Sequence, residues 1–358
     1  MSIPAETAIG AQTDRGAWAA GDRQVANWLF LVCIGIAALV IFGGWVRLTH
    51  SGLSMVEWRP ITGLLPPLGD QAWEQAFGVY RDTPEYRIVN AGMSLSEFKS
   101  IYWMEYLHRV LGRAVGLVYA VPFFFFLARR VIPLARLPAF GLIGLLFAAQ
   151  GVLGWWMVKS GLVNEPAVSQ YRLAAHLLLA LGLLGACLWL GLNYRLGRPL
   201  ASSPAAALRV PAALFLAAVV VQIASGALMA GLKAGWVSAS FPKMRDQWIP
   251  AGLWSQEPWL RNIFENQLTV HFQHRWLAFL VLAAVVWLPL RARRVELDGY
   301  LRWAALRAPY LVAGQILVGV IVIFQGVPAW MASIHQVVGM ITLALAVSIY
   351  HQTRAVSP

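Results

Sequence analysis

Four histidines lie a few residues inside long apolar stretches, where ionisable side chains are costly and usually mark a functional site. The members of a pair are 68 residues apart in the first half of the chain and 61 apart in the second. The four are His108, His176, His274 and His335. Two neutral imidazoles on different helices suit the axial positions of a haem iron, whereas zinc typically takes three or four converging ligands. The pattern predicts two bis-histidine metal centres with haem iron.

Each histidine has a structural alternative, because a histidine in a membrane helix can simply bond to a neighbouring helix. Recurrence in both halves, at a similar predicted depth, favours metal ligands. The residue four positions later, on the same helix face, is always small and leaves room for a flat ring. These small residues are Gly112, Ala180, Ala278 and Gly339. His50 and His351 have no counterpart, and we predict that both are ordinary surface residues.

The two halves differ three residues before the first histidine of each pair. Glu105 precedes His108, whereas His271 precedes His274. Residues at this spacing share a helix face, so the Glu105 carboxylate is predicted to lie beside the first metal centre. There it can move protons or stabilise a cation. A salt bridge to a nearby arginine is the structural alternative, and the two roles are compatible. The difference predicts chemistry in the first half and a fixed redox centre in the second.

Arginines near the ligands allow two interpretations. Arg109 and Arg275 directly follow a histidine, and Arg113 lies one turn after Arg109. Their side chains can extend to lipid headgroups or pair with haem propionates through bidentate hydrogen bonds. Because Arg109 and Arg275 repeat, we favour propionates for them.

The composition predicts the elements that hold these residues. Of 358 residues, 59% are hydrophobic and 12% charged, as in integral membrane proteins. A spanning helix needs about 20 apolar residues. Continuous apolar runs of that length predict spans at 27–46, 106–127, 138–157, 173–192, 209–231, 272–290, 308–326 and 330–349. The predicted fold is an all-α integral membrane protein with eight transmembrane helices.

Internal repeats predict that these helices form two pseudo-symmetric four-helix bundles. EYLHR at 105–109 corresponds to HFQHR at 271–275, and QGVLG at 150–154 corresponds to QILVG at 315–319. Four spans return the chain to its starting side, so the halves would be related by an axis along the membrane normal. The predicted segments are a tail 1–26, a first half 27–192 with a long loop 47–104, a connection 193–208, a second half 209–350 with a loop 232–270, and a tail 351–358.

The net charge of +12 orients the protein rather than indicating nucleic-acid binding. Arginine is concentrated in the short loops after spans two, four and six, while the loops after spans three and seven carry little charge. This asymmetry predicts cytoplasmic termini. Residues 1–24 lack an apolar core with a cleavage site, so no signal peptide is predicted. Cys33 and Cys187 fall inside spans, and we expect them to pack as small apolar groups.

Further motifs resemble the haem A synthase family. FGGWVRLTHSGLSM at 42–55, WRP at 58–60 and GLLPP at 63–67 are similar to its first span and outer loop. EYLHR, AH at 175–176, HR at 274–275 and HQ at 335–336 match the rest of its pattern in order. The resemblance covers roughly residues 25–350. It implies an eight-span enzyme of a bacterial inner membrane that oxidises the C8 methyl of haem O to the formyl of haem A by successive hydroxylations, for terminal oxidase assembly.

By the same resemblance, His108 and His176 would be axial ligands of the substrate haem, with Glu105 as the catalytic residue. His274 and His335 would hold a haem b. Some family members carry a cysteine pair in the outer loop, but loop 47–104 has none, so thiol chemistry there is excluded. This places the chain with the cysteine-free bacterial and mitochondrial branch.

The expected partners are lipid, haem O and haem A, an unidentified electron acceptor, a haem O-producing farnesyltransferase and oxidase assembly factors. A homo-oligomer is left open. The alternative function is a bis-histidine b-type electron-transfer cytochrome, which explains the histidines equally well but not the asymmetric Glu105. A repeat-built transporter would require helices broken near mid-membrane, for which Pro122 and Pro328 are the only hints.

Overall fold

The computed structural model describes residues 20–58, 62–196, 204–297 and 299–354. Most of the predicted N-terminal tail, Arg59 and Pro60 of the WRP motif, part of the 193–208 connection and the last four residues lie outside these ranges. Within the described ranges the chain is helical and contains no strand, and eight helices are long and apolar enough to cross a membrane. The protein is therefore an all-α, multi-pass membrane protein, as predicted.

We number the eight long helices α1 to α8. Their bounds are Ala20–Leu48, Leu95–Ala128, Leu137–Ser160, Gln170–Leu196, Arg209–Gly231, Gln267–Ala292, Gly299–Phe324 and Ala329–Thr353. The segments 49–94 and 232–266 connect helices at the same end of the bundle, which we call the loop side. Each predicted span lies within one of these helices, except that the predicted span 308–326 continues two residues beyond the end of α7 at Phe324. Pro122 lies inside the unbroken helix α2, and Pro328 caps the start of α8, so neither marks a broken helix.

The helices pack as two groups of four in the same cyclic order. In the first half, α1 contacts α2 and α4, while α3 contacts α2 and α4. In the second half, α5 contacts α6 and α8, while α7 contacts α6 and α8. The halves meet where α4 contacts α5 and α8 and where α1 contacts α8. The arrangement has the predicted two four-helix groups, and symmetry between them stays a prediction.

Helix α2 is much longer than its apolar run. It begins in a capping box, in which Ser94 Oγ accepts from Glu97 N and Glu97 Oε2 accepts from Ser94 N. Its 34 residues span about 51 Å at 1.5 Å per residue, against roughly 30 Å of hydrocarbon. The first turns of α2 therefore extend beyond the membrane, which explains why the helix starts before the predicted span.

These first turns support the long loop of the first half. The loop contains the helices Asp70–Arg81 and Pro84–Ile88. Aromatic side chains join these helices to the start of α2 in a cluster that is separate from the main core. The buried members are Trp73, Phe77, Tyr80, Phe98, Tyr102 and Tyr106. The loop is thus a folded cap rather than a free linker.

The two cysteines and the two histidines without a counterpart differ in their burial. Cys187 is buried, Cys33 is half-buried, and both thiols are free, as expected. His50 is exposed. The prediction that His351 is a surface residue is wrong, because its side chain is buried between α8 and α4. Its Nε2 lies 2.9 Å from Asn193 Oδ1, and its ring meets the Trp189 ring edge-on.

The loop cap should respond to pH through Glu85. This side chain is buried and accepts a hydrogen bond of 3.4 Å from the Tyr80 hydroxyl. Burial, and secondarily the charge of Glu105, raise the pKa of Glu85 from an ordinary 4.5 to about 7. A raised acid pKa stabilises the fold below the ordinary value, and this stability is lost as pH rises towards 7.

We predict that amide hydrogen exchange in 70–94 is slower at about pH 5 than at about pH 8, by a free-energy difference of at most about 3 kcal/mol. Glu85→Gln should remove most of this difference beyond the intrinsic exchange rates. Glu74→Gln, which changes an exposed acid on the neighbouring loop helix, is the matched control. Equal pH dependence in both variants would contradict the assignment.

Candidate functional site

The four predicted ligands lie near the loop side of the even-numbered helices. His108 is on α2, His176 on α4, His274 on α6 and His335 on α8. In the described residues, no three His, Cys, Asp or Glu side chains converge as they would around a metal ion bound by protein side chains alone. The structure therefore offers pairs of histidines rather than a zinc-type cluster.

Each histidine ring rests against a glycine of the preceding odd-numbered helix. A Cβ atom at Gly43, Gly154, Gly226 or Gly319 would lie 2.8, 3.0, 3.1 or 2.9 Å, respectively, from the Cε1 atom of the facing histidine. Real Cβ atoms essentially never approach as closely as they would at Gly43 and Gly319, and the distances at Gly154 and Gly226 are tighter than most real Cβ contacts. Glycine therefore lets the imidazole lie near the helix backbone without being displaced. We call these four glycines the cradle glycines.

A glutamine fixes three of the four histidines. Gln150, Gln222 and Gln315 each stand four residues before a cradle glycine. Their Nε2 atoms donate to the backbone carbonyls of His176, His274 and His335 at 3.0, 3.0 and 2.9 Å. The same Nε2 atoms lie 3.2 to 3.4 Å from nitrogens of the histidine rings. Each glutamine thus joins two helices at the height of a ligand.

The spacing of a glutamine four residues before a glycine can be read from the sequence. QGVLG at 150–154 and QILVG at 315–319 were recognised as a repeat, but QIASG at 222–226 has the same form and was missed. In α1 the corresponding residues are Leu39 and Gly43, so the glycine is kept and the glutamine is not.

The second pair of histidines has a separation that suits a single iron. The ring centroids of His274 and His335 are 6.4 Å apart. Two imidazoles on opposite sides of one metal, with bonds of about 2 Å, place their centroids about 6 Å apart. In addition, the Nδ1 atoms of His108, His176 and His335 are buried without a hydrogen-bond partner in the described structure. The Nδ1 atoms of His271 and His351 are buried without a partner in the described structure as well, so the observation that fits axially bound haem is the separation of His274 and His335.

The small residues that follow the histidines by four positions differ in their surroundings. Gly112, one turn after His108, is exposed, and a Cβ there would meet nothing within 4 Å. At Gly339, the corresponding position after His335, it would lie 3.2 Å from Gln315 Nε2. The four small residues predicted from the sequence therefore do not share one environment.

Glu105 lies in a dense set of hydrogen bonds. Only 3% of the residue is exposed. Its Oε1 accepts from Arg109 Nη2 at 2.6 Å, and its Oε2 accepts from Ser54 Oγ and Met55 N, both at 2.8 Å. The salt bridge that was the structural alternative for Glu105 is therefore formed, with Arg109 as its partner. The carboxylate also connects α2 to the loop segment that follows α1.

Arg109 completes this connection. It donates to the carbonyls of Met55 and Glu57 at 2.8 and 3.0 Å. The second half contains the same device. Arg275 donates through Nε to His271 Nε2 at 2.9 Å and through its Nη atoms to the carbonyls of Ser238 and Ser240.

Both arginines therefore fasten a loop onto a ligand-bearing helix, with the residue one turn earlier as partner. That partner is Glu105 in the first half and His271, which is fully buried, in the second. Sequence reasoning missed this role, because the loop carbonyls are brought to the arginines only by folding. Propionate pairing by Arg109, Arg113 and Arg275 stays a prediction.

The cradle glycines give a testable expectation. Gly154→Ala should push the His176 ring away from α3 and lower the haem bound in the first half, because a Cβ would lie 3.0 Å from the ring. Gly151→Ala is the control, since Gly151 is exposed on the same helix and its Cβ would meet nothing within 4 Å. Haem per purified protein, measured by absorbance, should fall only for Gly154→Ala; equal haem content would contradict the cradle.

Known proteins were compared with this chain. Residues 26–347 match the family model described as cytochrome oxidase assembly protein (COX15-CtaA). A protein of Nitrosospira multiformis named heme A synthase is 41% identical over 340 residues, which cover 93% of this chain and 94% of that protein. A protein of the same name from Rhodopseudomonas palustris strain BisA53 is 45% identical over 327 residues, covering 91% and 90%. The range 26–347 includes every residue of the site described above.

Proposed function

Because this chain belongs to the cytochrome oxidase assembly protein family, we propose that it is an enzyme that synthesises haem A, as the names of its relatives state. The reaction is oxidation of the C8 methyl group of haem O to a formyl group. The observation that carries this proposal is the buried carboxylate of Glu105, which stands beside the first histidine pair and has no acidic counterpart beside the second.

In this proposal the first half binds the substrate. His108 and His176 would hold haem O, and the cradle glycines Gly43 and Gly154 set the position of the two rings. Glu105 lies three residues before His108 on the same helix face. It accepts a proton released during oxidation or stabilises positive charge that develops near the methyl group. The bonds from Arg109, Ser54 and Met55 hold the carboxylate in place.

The second half binds a haem b through His274 and His335. Both histidines are held by glutamines and cradle glycines, as a permanently bound cofactor requires. A haem with two histidine ligands supplies one-electron transfer. His271 occupies the place of Glu105 and accepts a hydrogen bond from Arg275, so this half has no acid at the corresponding position.

The arginines keep a part in haem binding in this proposal. A guanidinium has five N–H donors, and Arg109 gives three hydrogen bonds to Glu105, Met55 and Glu57. Its remaining donors, together with those of Arg275 and Arg113, pair with propionates.

We place the protein in the cytoplasmic membrane of a bacterium, with both termini in the cytoplasm. The arginine-rich short loops lie opposite the loop side, which supports this orientation. Haem O is too apolar to travel through water, which supports direct delivery by the farnesyltransferase that produces it.

Expression in a host that makes haem O but not haem A tests the function. Extracted haems should include one with a formyl group when separated by chromatography. A b-type electron-transfer cytochrome would leave the haem composition of the host unchanged, and that result would reject the proposal.

In the same host, Glu105→Gln should retain both haems but stall the conversion or accumulate the alcohol. The amide keeps the size of the side chain but cannot take up a proton as the carboxylate does. Glu97→Gln, in the capping box of the same helix, is the control and should give the wild-type yield. An unchanged yield of haem A from Glu105→Gln would refute the catalytic role.

His274→Ala should lose the resident haem b, because one axial ligand and its contact with Gly226 are removed. The absorbance spectrum of the purified variant measures this loss. His50→Ala changes an exposed loop histidine and serves as control. A full haem b spectrum in His274→Ala would show that the assignment is wrong.

A further inference from the structure

The glutamine contacts divide the four histidines unequally between the two centres. In the second half both ligands are fixed, His274 by Gln222 and His335 by Gln315. In the first half only His176 is fixed, by Gln150. His108 has no glutamine, because α1 carries Leu39 at the place four residues before its cradle glycine.

Leu39 changes the physical character of the contact. A leucine side chain has no hydrogen-bond donor, so it cannot join α1 to the backbone carbonyl of His108. It packs instead, half-buried, against the apolar core. On the α1 side, the described neighbours of the His108 ring are Gly43 and the Phe42 ring, whose centroid is 6.1 Å away. In the described part of the chain, His108 is therefore held against α1 by packing, whereas the other three histidines also have a hydrogen bond between helices.

The polar contacts near His108 lie towards the loop instead. Glu105 and Arg109, on either side of it in α2, bind Ser54, Met55 and Glu57 of the loop. In the described residues, the polar contacts next to His108 in α2 thus lead to the loop, and none of them joins His108 to α1.

From these differences we propose that His108 is the releasable ligand of the first centre. The inference rests on the proposed function, in which the first half exchanges haem O for haem A while the second keeps its haem. When haem enters or leaves, His108 would be the residue that lets go of it, and His176, held by Gln150, would be the residue that keeps hold. Gln150, Gln222 and Gln315 are positioning residues that hold their histidines against such release.

Carbon monoxide tests this, because it binds a reduced haem only where an axial position opens. In the purified protein with its bound haems, the first-half haem should bind carbon monoxide faster than the second. Leu39→Gln supplies the missing donor and should slow this binding by roughly threefold to tenfold, the range for one hydrogen bond between membrane helices. Leu39→Met, of similar size and without a donor, is the matched control and should bind at the wild-type rate.

A second variant decides the matter even where Leu39→Gln fails to fold. Gln222→Leu removes the hydrogen bond to His274 and should create a second carbon monoxide-reactive haem. Equal reactivity of the two wild-type haems, or no new reactive haem in Gln222→Leu, would overturn the proposal. The proposal would also be overturned if Leu39→Met slowed carbon monoxide binding as much as Leu39→Gln does. None of these readouts requires formyl formation, so a failure of the proposed function is recognised separately by haem chromatography.

Discussion

The close approach of an imidazole to a glycine backbone, repeated four times, is the constraint on which the site depends. Helices in a membrane gain little from the hydrophobic effect and associate through small residues and hydrogen bonds between helices. Here the small residue is the cradle glycine and, in three cases, the hydrogen bond comes from a glutamine one turn away. The interactions that hold the helices together therefore also position the four histidines.

The loops are coupled to the same helices by a second repeated device. Arg109 and Arg275 bind loop carbonyls and the residue one turn before them, which is Glu105 or His271. The replacement of Glu105 by His271 thus changes the contacts between loop and helix as well as the chemistry of the site. A carboxylate in the first half accepts hydrogen bonds from Ser54 and Met55 of the loop that follows α1, whereas an imidazole takes its place in the second half and accepts from Arg275.

The two centres also meet directly at the crossing of α1 and α8. Gln336, next to the ligand His335, donates to the Val40 carbonyl at 2.7 Å. Its side chain packs on Gly44, which has no room for a Cβ and directly follows the cradle glycine of His108. A shift of α8 at His335 would therefore be transmitted to α1, the helix that carries the cradle glycine of His108.

The amino-acid sequence by itself determined the eight helices, the four histidines and the asymmetric Glu105. Apolar length and costly polar residues are local features that any reader of the chain can recognise. Only the tertiary structure decided that Gln222 belongs with its two counterparts, that Arg275 binds a loop and that His351 is buried. These facts depend on how each helix is rotated about its axis and where the loops return. Helices that are apolar on all sides carry no periodic signal of that rotation, so their contacts are fixed only when they pack.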